Sequence, residues 1–262
     1  LLERALEQPN DDQARRGAIK FLQSRHADAA EMAKAYGLTL GEWDQLDAKE
    51  MQSTNTEAAK ADRTAFTQML ADRFFDVTTR IVREELPGLL ILGTRFPGDA
   101  PEAVIRACGR DCDVVSVNMY AFGSKPDVGQ FAKFWLLGGR PLMHTEFSWR
   151  ASENNSGCPN TRGAGAVLKT QAQRAERYSA FVSDMASLPV VIGSHWFEFA
   201  DQSPQGRFDG EDSNYGIVDI DNKPYRELLS AMRDTHARVA SIHRETTRSM
   251  PKSLDAITAV TY

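Results

Sequence analysis

Apolar residues recur at three-and-four spacing through the first third of the chain. Ala, Glu, Gln, Lys, Arg and Leu dominate this part, whereas Pro and Gly are sparse, and this composition is typical of helices. The pattern predicts four helices, over 11–25, over 27–36, in a short segment that carries Trp43, and over 57–85. We expect residues 1–88 to be helical and to contain no strand.

From residue 89 onward, short apolar runs alternate with amphipathic stretches. The apolar runs predict strands over 89–93, 113–120, 141–147 and 190–196. The stretches that follow predict helices over 101–108, 128–137, 170–187 and 224–244. Continuous hydrophobicity indicates strands buried on both faces, and the alternation indicates parallel βα units. Residues 245–262 show no period, so we expect a loosely attached C-terminal tail.

Composition narrows the function classes. The 262 residues carry a formal net charge of -5 and 26% charged residues, which describes an ordinary globular chain rather than a disordered one. No basic stripe offers a surface for nucleic acid, and no apolar run approaches the roughly 18 residues of a membrane span. No metal-ligand motif and no Gly-rich phosphate loop is present. We therefore expect no cofactor, no nucleic-acid partner and no membrane insertion.

Polar and aromatic side chains gather where the predicted strands end. Chemistry in parallel α/β folds lies beyond the carboxyl ends of the strands, so these side chains should meet at one rim. The candidates are Arg95, Asn118, Tyr120, His144, Glu146, His195 and Trp196. Long loops, 150–166 and 201–219, follow the last two strands, and loops at this rim commonly line a cleft.

Aromatic rings beside carboxylates suit a sugar ligand. A pyranose lays its apolar face on an indole, while carboxylate, Asn, His and Arg side chains bind its hydroxyl groups. Glycoside hydrolysis needs two carboxylic acids, about 5 to 5.5 Å apart when one is the nucleophile. Glu146 is the natural candidate for one of them, although a Glu at a strand end is often only a surface or capping residue.

Four sequence blocks resemble the C-terminal half of β-agarase-like and β-galactosidase-like glycoside hydrolases, the retaining (β/α)8 enzymes of clan A. These blocks are 141–149, which reads PLMHTEFSW, and 156–165, 193–202 and 206–218. The resemblance implies that residues 89–244 are strands five to eight of a TIM barrel with their helices. It also implies that residues 1–88 are an excursion after strand four together with the fourth helix, and that 245–262 are a tail.

The resemblance also implies roles for the rim residues. Glu146 takes the place of the nucleophile, Tyr120 orients it, and Trp196 forms the sugar platform. The resemblance leaves Asn118, His144 and His195 to bind sugar hydroxyls, and Arg95 to bind substrate or hold a carboxylate. For each there is a plain structural alternative: a buried satisfied histidine, a core tryptophan, a strand-end tyrosine packed under a loop, or an ion pair within the rim.

The acid/base of such families is the Glu of an Asn-Glu pair that closes strand four, and no such pair precedes residue 89. We expect it upstream of Leu1, with Glu198 and Glu211 as fallback acids. The chain alone should then be inactive, and unstable unless the N-terminal half of the barrel covers its edges.

Two hypotheses follow. One is a retaining hydrolase of β-galactosides or agar-type galactans, and the other is a carbohydrate-binding or scaffold protein of the same fold. The resemblance suggests export to the periplasm or the extracellular space.

Overall fold

A computed structural model describes residues 1–258 of the chain. The chain divides into two compact units. The first contains Leu1–Pro87 and Glu102–Ala107, and the second contains Gly88–Pro101 and the chain from Cys108 onward. None of the described helices combines the length and the apolar character that crossing a membrane requires.

The first unit is built from short helices and one long one. Its elements are α1 (Leu2–Leu6), α2 (Gln13–Gln23), α3 (Ala29–Tyr36), a 3-10 helix (Trp43–Gln45), α4 (Ala48–Ser53) and α5 (Glu57–Glu85). The bounds of α5 are those that the spacing predicts, and Thr56 caps it by accepting a hydrogen bond from the Ala59 N–H. Helices α1 and α4 are too short to show a period, so the sequence pattern does not reveal them.

The apolar faces of these helices meet in one core that includes Leu22, Met32, Met51 and Phe66. A buried carboxylate lies beside this core. Asp62, 2% exposed, accepts hydrogen bonds from Arg25, from the Tyr36 hydroxyl at 2.7 Å and from His26 Nε2 at 2.6 Å. Burial acts to raise the pKa of Asp62, but these hydrogen bonds outweigh it and hold the pKa below its usual value.

The second unit contains a four-stranded parallel sheet in the order β1-β2-β3-β6. Its strands are β1 (Phe96–Pro97), β2 (Val115–Asn118), β3 (Leu142–Phe147) and β6 (Val191–Trp196). A separate parallel pair joins β4 (Arg150–Ala151) to β5 (Val167–Leu168). The remaining helices are α6 (Glu102–Asp111), α7 (Val128–Gly138), α8 (Gln171–Ala186), α9 (Arg226–Glu245) and α10 (Asp255–Thr258). The predicted mixed α/β class with parallel strands is confirmed.

The first predicted strand differs from the structure. Residues 89–93 run beside β2, where the Ile91 carbonyl accepts hydrogen bonds from the N–H groups of Asp113 and Val114, but strand pairing begins only at Phe96. Gly93 (φ 81°) and Arg95 (φ 49°) both adopt left-handed backbone conformations, which interrupt an extended ladder. A Cβ at Gly93 would lie 2.9 Å from Cys108 Sγ, so this close approach requires glycine.

The described part of the C-terminal tail is anchored, contrary to the expectation of loose attachment. Arg248 forms an ion pair of 2.8 Å with Asp184 of α8, and Thr246 donates a hydrogen bond to the Ser187 carbonyl. Met250 is buried, and α10 packs against α7. The last four residues of the tail, 259–262, lie outside the described residues.

Candidate active site

Glu146 lies near the carboxyl end of β3 and is held by three side chains. Arg95 donates to Glu146 Oε2 at 2.7 Å, and the Asn118 amide donates to the same oxygen at 3.0 Å. The Tyr120 hydroxyl donates to the other oxygen, Oε1, at 2.8 Å. The three donors fix both oxygens of a carboxylate whose side chain remains 21% exposed. This arrangement holds the carboxyl group in one orientation and leaves part of it open to the solvent.

The backbone explains why these donors meet. Parallel pairing sets Asn118 opposite Glu146, with a register shift beside it. The left-handed turn before β1 brings the Arg95 N–H to Ser116 Oγ at 2.9 Å and the guanidinium to the Thr145 carbonyl at 2.9 Å. The same turn that ends the first predicted strand therefore supplies one of the carboxylate's partners.

Tyr120 acts as a hydrogen-bond donor because its phenol stays protonated. Burial, and next the hydrogen bond to Glu146, raise the pKa of Tyr120 well above its ordinary value of 10.0. A cleft of about 400 Å³ opens in front of these groups, lined by Asn118, Tyr120, Gln130 and Glu146 among others. A larger cavity of about 510 Å³ lies between α8, α9 and β6 and is lined mainly by apolar residues. The fixed carboxylate favours the first cleft as the candidate active site.

The structure corrects the expectation that His144 binds sugar. The side chain is 0% exposed and stacks on Phe147 at a ring distance of 4.9 Å. Its Nε2 lies 2.9 Å from the Met119 carbonyl, and its Nδ1 faces the Met185 sulfur at 3.2 Å. Burial lowers the pKa of His144 to about 4, so the ring is neutral near pH 7. His144 supports the chain between Asn118 and Tyr120 from the core side.

Trp196 also lies on the core side, which corrects the expectation that it forms a platform beside Glu146. The register pairs Trp196 with Phe147, and paired residues of neighbouring strands share one face. Its ring contacts those of Phe147 and Tyr178, and its Nε1 donates to the Tyr215 carbonyl at 2.8 Å. Glu146 instead contacts Arg95, Asn118 and Tyr120, away from the packing of Phe147 on Trp196.

The next residue along the chain provides the aromatic ring on the Glu146 side. Phe197 lies 6.5 Å from the Tyr120 ring and 5.2 Å from the Tyr215 ring. Phe197 is not among the candidates taken from the sequence, although the period-2 alternation of strands separates it from Trp196. The same alternation leaves His195, which is exposed, as a candidate on this face.

The two long loops bind one another. The Ala151 N–H donates to Asn214 Oδ1 at 2.8 Å, and the Asn214 N–H donates to Asn160 Oδ1 at 3.0 Å. Asp212 accepts from the Arg162 N–H at 2.9 Å. Gly163 is required here, because its φ is 138° and a Cβ would lie 2.5 Å from Ser213 Oγ. Loops 150–166 and 201–219 therefore form one hydrogen-bonded body.

The two fallback acids, Glu198 and Glu211, share one hydrogen-bond donor in loop 201–219. Gln202 Nε2 donates to Glu198 Oε1 at 3.0 Å and to Glu211 Oε2 at 2.9 Å. Burial raises the pKa of the Glu198 carboxyl, whereas Glu211 forms an ion pair of 3.0 Å with Arg207. Among residues 1–258, no group of three or more His, Cys, Asp or Glu side chains is arranged to hold a metal ion.

The fold and the site define the class: a parallel α/β domain that matches part of a glycoside hydrolase domain. The structure of an exo-β-agarase aligns with 91% of this chain and 32% of its own, with a TM-score of 0.80 and 29% sequence identity.

The chain is homologous to β-agarases. It is 25% identical over 226 residues to β-agarase B of Vibrio sp. (strain JT0107) and 26% identical over 230 residues to β-agarase A of the same organism. Each match includes 84% of this chain. The chain spans only 23% and 22% of the length of these two relatives. No protein-family model matches the chain. The resemblance that the sequence blocks indicate is confirmed.

Proposed function

We propose that this chain is part of a retaining glycoside hydrolase that cleaves β-galactosidic bonds, with agar-type galactans as the substrate class. The observation that carries the proposal is the carboxylate of Glu146, fixed by Arg95, Asn118 and Tyr120 at the carboxyl edge of a parallel sheet. The homology to β-agarases supports the substrate class.

In the proposed mechanism Glu146 is the nucleophile. One carboxylate oxygen attacks the anomeric carbon, and the bond from that carbon to the leaving oxygen breaks while a second carboxylic acid protonates the leaving oxygen. The resulting covalent glycosyl-enzyme is then attacked by water, whose proton returns to the second carboxylate. Hydrogen bonds from Asn118, Arg95 and Tyr120 hold the nucleophile in the attacking geometry and stabilise the carboxylate when it leaves the sugar.

We further propose that the parallel sheet is the C-terminal half of a (β/α)8 barrel. The order β1-β2-β3-β6 gives four parallel neighbours, each followed by a helix, as four successive barrel units require. The relatives are more than four times as long as the matched segment, which leaves room for the other four units and for an acid/base Glu on one of them. An oligo- or polysaccharide is then the partner of the site.

The test is made on the full-length natural protein. Glu146→Gln should lower kcat for an aryl β-galactoside and for agarose by at least about a thousandfold, because the nucleophile is lost. The matched control is Glu176→Gln, an exposed glutamate on α8, which should keep the turnover of the wild type. Turnover that survives Glu146→Gln contradicts the assignment.

Azide rescue separates a nucleophile from a residue that only supports the fold. Glu146→Gly leaves space beside the anomeric carbon, so azide should restore cleavage of an activated aryl galactoside and yield a galactosyl azide of inverted configuration. If the wild type binds agaro-oligosaccharides but turns over neither substrate, the protein is instead a carbohydrate-binding protein of the same fold.

A further inference from the structure

A row of flat side chains runs outward from Tyr120 along the loop after β6. The Phe197 ring lies 6.5 Å from the Tyr120 ring, and the Arg207 guanidinium lies over Phe197 at 5.9 Å. The same guanidinium lies 5.8 Å from the centre of the Phe208 ring. The row begins at a residue that contacts Glu146 and continues through Phe197 and Arg207 to Phe208, so it extends the site beyond a single sugar.

Arg207 is fixed in this row by acidic neighbours. Its Nε and Nη2 donate to the two oxygens of Asp209 at 2.9 Å and 2.7 Å, and Nη2 also meets Glu211 at 3.0 Å. The Arg207 backbone N–H donates to the Glu211 carbonyl at 2.8 Å. A bidentate pair of this kind holds the planar guanidinium in one orientation. The guanidinium therefore keeps its contacts with the rings of Phe197 and Phe208.

Phe208 is the most exposed large apolar residue in this part of the chain. It is 98% exposed, and the guanidinium of Arg207 lies against it. A single exposed phenylalanine needs no explanation. Here, however, the ring stands at the end of an ordered row that starts at the carboxylate. An open aromatic face in such a place suits the apolar face of a pyranose.

The charges of this row select for neutral ligands. Arg207 is shared by Asp209 and Glu211, and a second guanidinium, that of Arg162, lies against Gly210 between these two acids. Gln202 donates to Glu198 and to the same Glu211 oxygen that Arg207 meets. The hydrogen bond from Arg207 is the largest cause that lowers the pKa of Asp209 to about 2, so this carboxylate is charged. Counted formally, the three carboxyl groups of Glu198, Asp209 and Glu211 exceed the two guanidinium groups of Arg207 and Arg162 by one negative charge. Carboxylate oxygens accept hydrogen bonds from sugar hydroxyls but repel sulfate or uronate groups.

We propose that Phe197, Arg207 and Phe208 form a second sugar subsite, which binds an uncharged galactan residue and disfavours sulfated or carboxylated ones. The subsite rests on the proposed function, since it extends a site built around Glu146. Phe208 stacks on the sugar, and Asp209 and Glu211 accept hydrogen bonds from its hydroxyl groups.

The test compares a long substrate with a short one in the full-length protein. An agaro-hexaose reaches the second subsite, whereas an aryl β-galactoside occupies the Glu146 site. Phe208→Ala should lower the ratio of kcat/KM for the hexaose to that for the aryl galactoside by about tenfold, the size expected for loss of one aromatic contact. Phe208→Trp should restore the ratio. Ile220→Ala, which truncates an exposed apolar residue outside the row, should leave the ratio at its wild-type value.

A double variant tests the charge selection. Asp209→Asn with Glu211→Gln should raise kcat/KM for a sulfated galactan relative to the neutral one by about tenfold, because the repulsion is relieved. An unchanged neutral-to-sulfated ratio overturns the charge selection.

The outcomes also separate this proposal from the proposed function. If Phe208→Ala leaves the long-to-short ratio unchanged while the wild type cleaves both substrates, the subsite is wrong and the hydrolase stands. If the wild type cleaves neither substrate, calorimetry of agaro-hexaose binding decides. The subsite stands if Phe208→Ala raises the Kd about tenfold and Ile220→Ala leaves it unchanged. Equal Kd values for the wild type and Phe208→Ala reject the subsite.

Discussion

The burial of His144 makes the stability of the second unit depend on pH. In the fold the pKa of this histidine is about 4, against an ordinary value of 6.5, because burial disfavours the charged ring. The unfolded chain therefore binds one more proton than the folded chain between these two values. The stabilisation is fully present above pH 6.5 and is lost as the pH falls towards 4.

The size of the effect follows from the same two values. A pKa lowered from 6.5 to about 4 corresponds to about 3 kcal/mol of unfolding free energy. Protonated His144 would place a charged ring against Phe147, Phe131 and Phe181, with only the Met185 sulfur near its Nδ1. These neighbours offer no carboxylate to compensate for the charge.

The perturbation is His144→Phe, which keeps an aromatic ring and removes the titrating group. At pH 7 the variant should lose roughly 1 to 3 kcal/mol, because the hydrogen bond to Met119 is lost and the new ring differs in shape. Between pH 6.5 and 4.5, however, its stability should fall by about 2 kcal/mol less than that of the wild type.

Urea unfolding at a series of pH values measures this difference. Tryptophan fluorescence is a suitable readout, since Trp149 and Trp196 contact Phe147 beside the buried histidine. His195→Gln is the control, because His195 is exposed and its loss should leave the pH dependence unchanged. Parallel stability curves for the wild type and His144→Phe would refute the reasoning.

Two further substitutions test how each unit is held together. Asp62→Asn should lower the unfolding free energy of the helical unit, measured by chemical denaturation, by about 2 kcal/mol, because Arg25 and its other partners lose a buried charged acceptor. The control is Asp76→Asn on the exposed face of α5, which should change this free energy little. Gly163→Ala should lower the melting temperature, since the backbone strain and the clash with Ser213 cost about 1 to 3 kcal/mol. Gly123→Ala, where a Cβ meets nothing within 4 Å, is its control. A Gly163→Ala variant as stable as Gly123→Ala contradicts this account.

The sequence predicts the elements of this fold better than the direction of its side chains. The long helix α5 and the strand β3 are strongly patterned, and the structure places both within one residue of the predicted bounds. The run 89–93 is apolar like a strand, but its pairing is interrupted by left-handed Gly93 and Arg95, a backbone property that hydrophobicity does not report. Arg95, Asn118 and Tyr120, which the composition at the strand ends singles out, hydrogen-bond to Glu146 in the structure.

Assignment of side chains to one face required the register between strands. His144 and Trp196 are chemically suited to sugars, and nothing in their residue types distinguishes them from Arg95 or Tyr120. The pairing of Phe147 with Trp196 places Trp196 with the core, whereas the hydrogen bonds of Glu146 place it with Arg95, Asn118 and Tyr120. Strand register depends on contacts between distant segments, so it cannot be read from a single sequence.

The mutual hydrogen bonding of loops 150–166 and 201–219 has a consequence for engineering. Asn160, Asp212 and Asn214 each satisfy backbone groups of the opposite loop or strand end, so each loop depends in part on residues of the other. A graft that exchanges one of them for a homologous loop leaves the other without its partners. A homologous loop should therefore fold on this scaffold only when both loops are exchanged as a pair, and libraries that vary one loop alone should yield mostly misfolded loops.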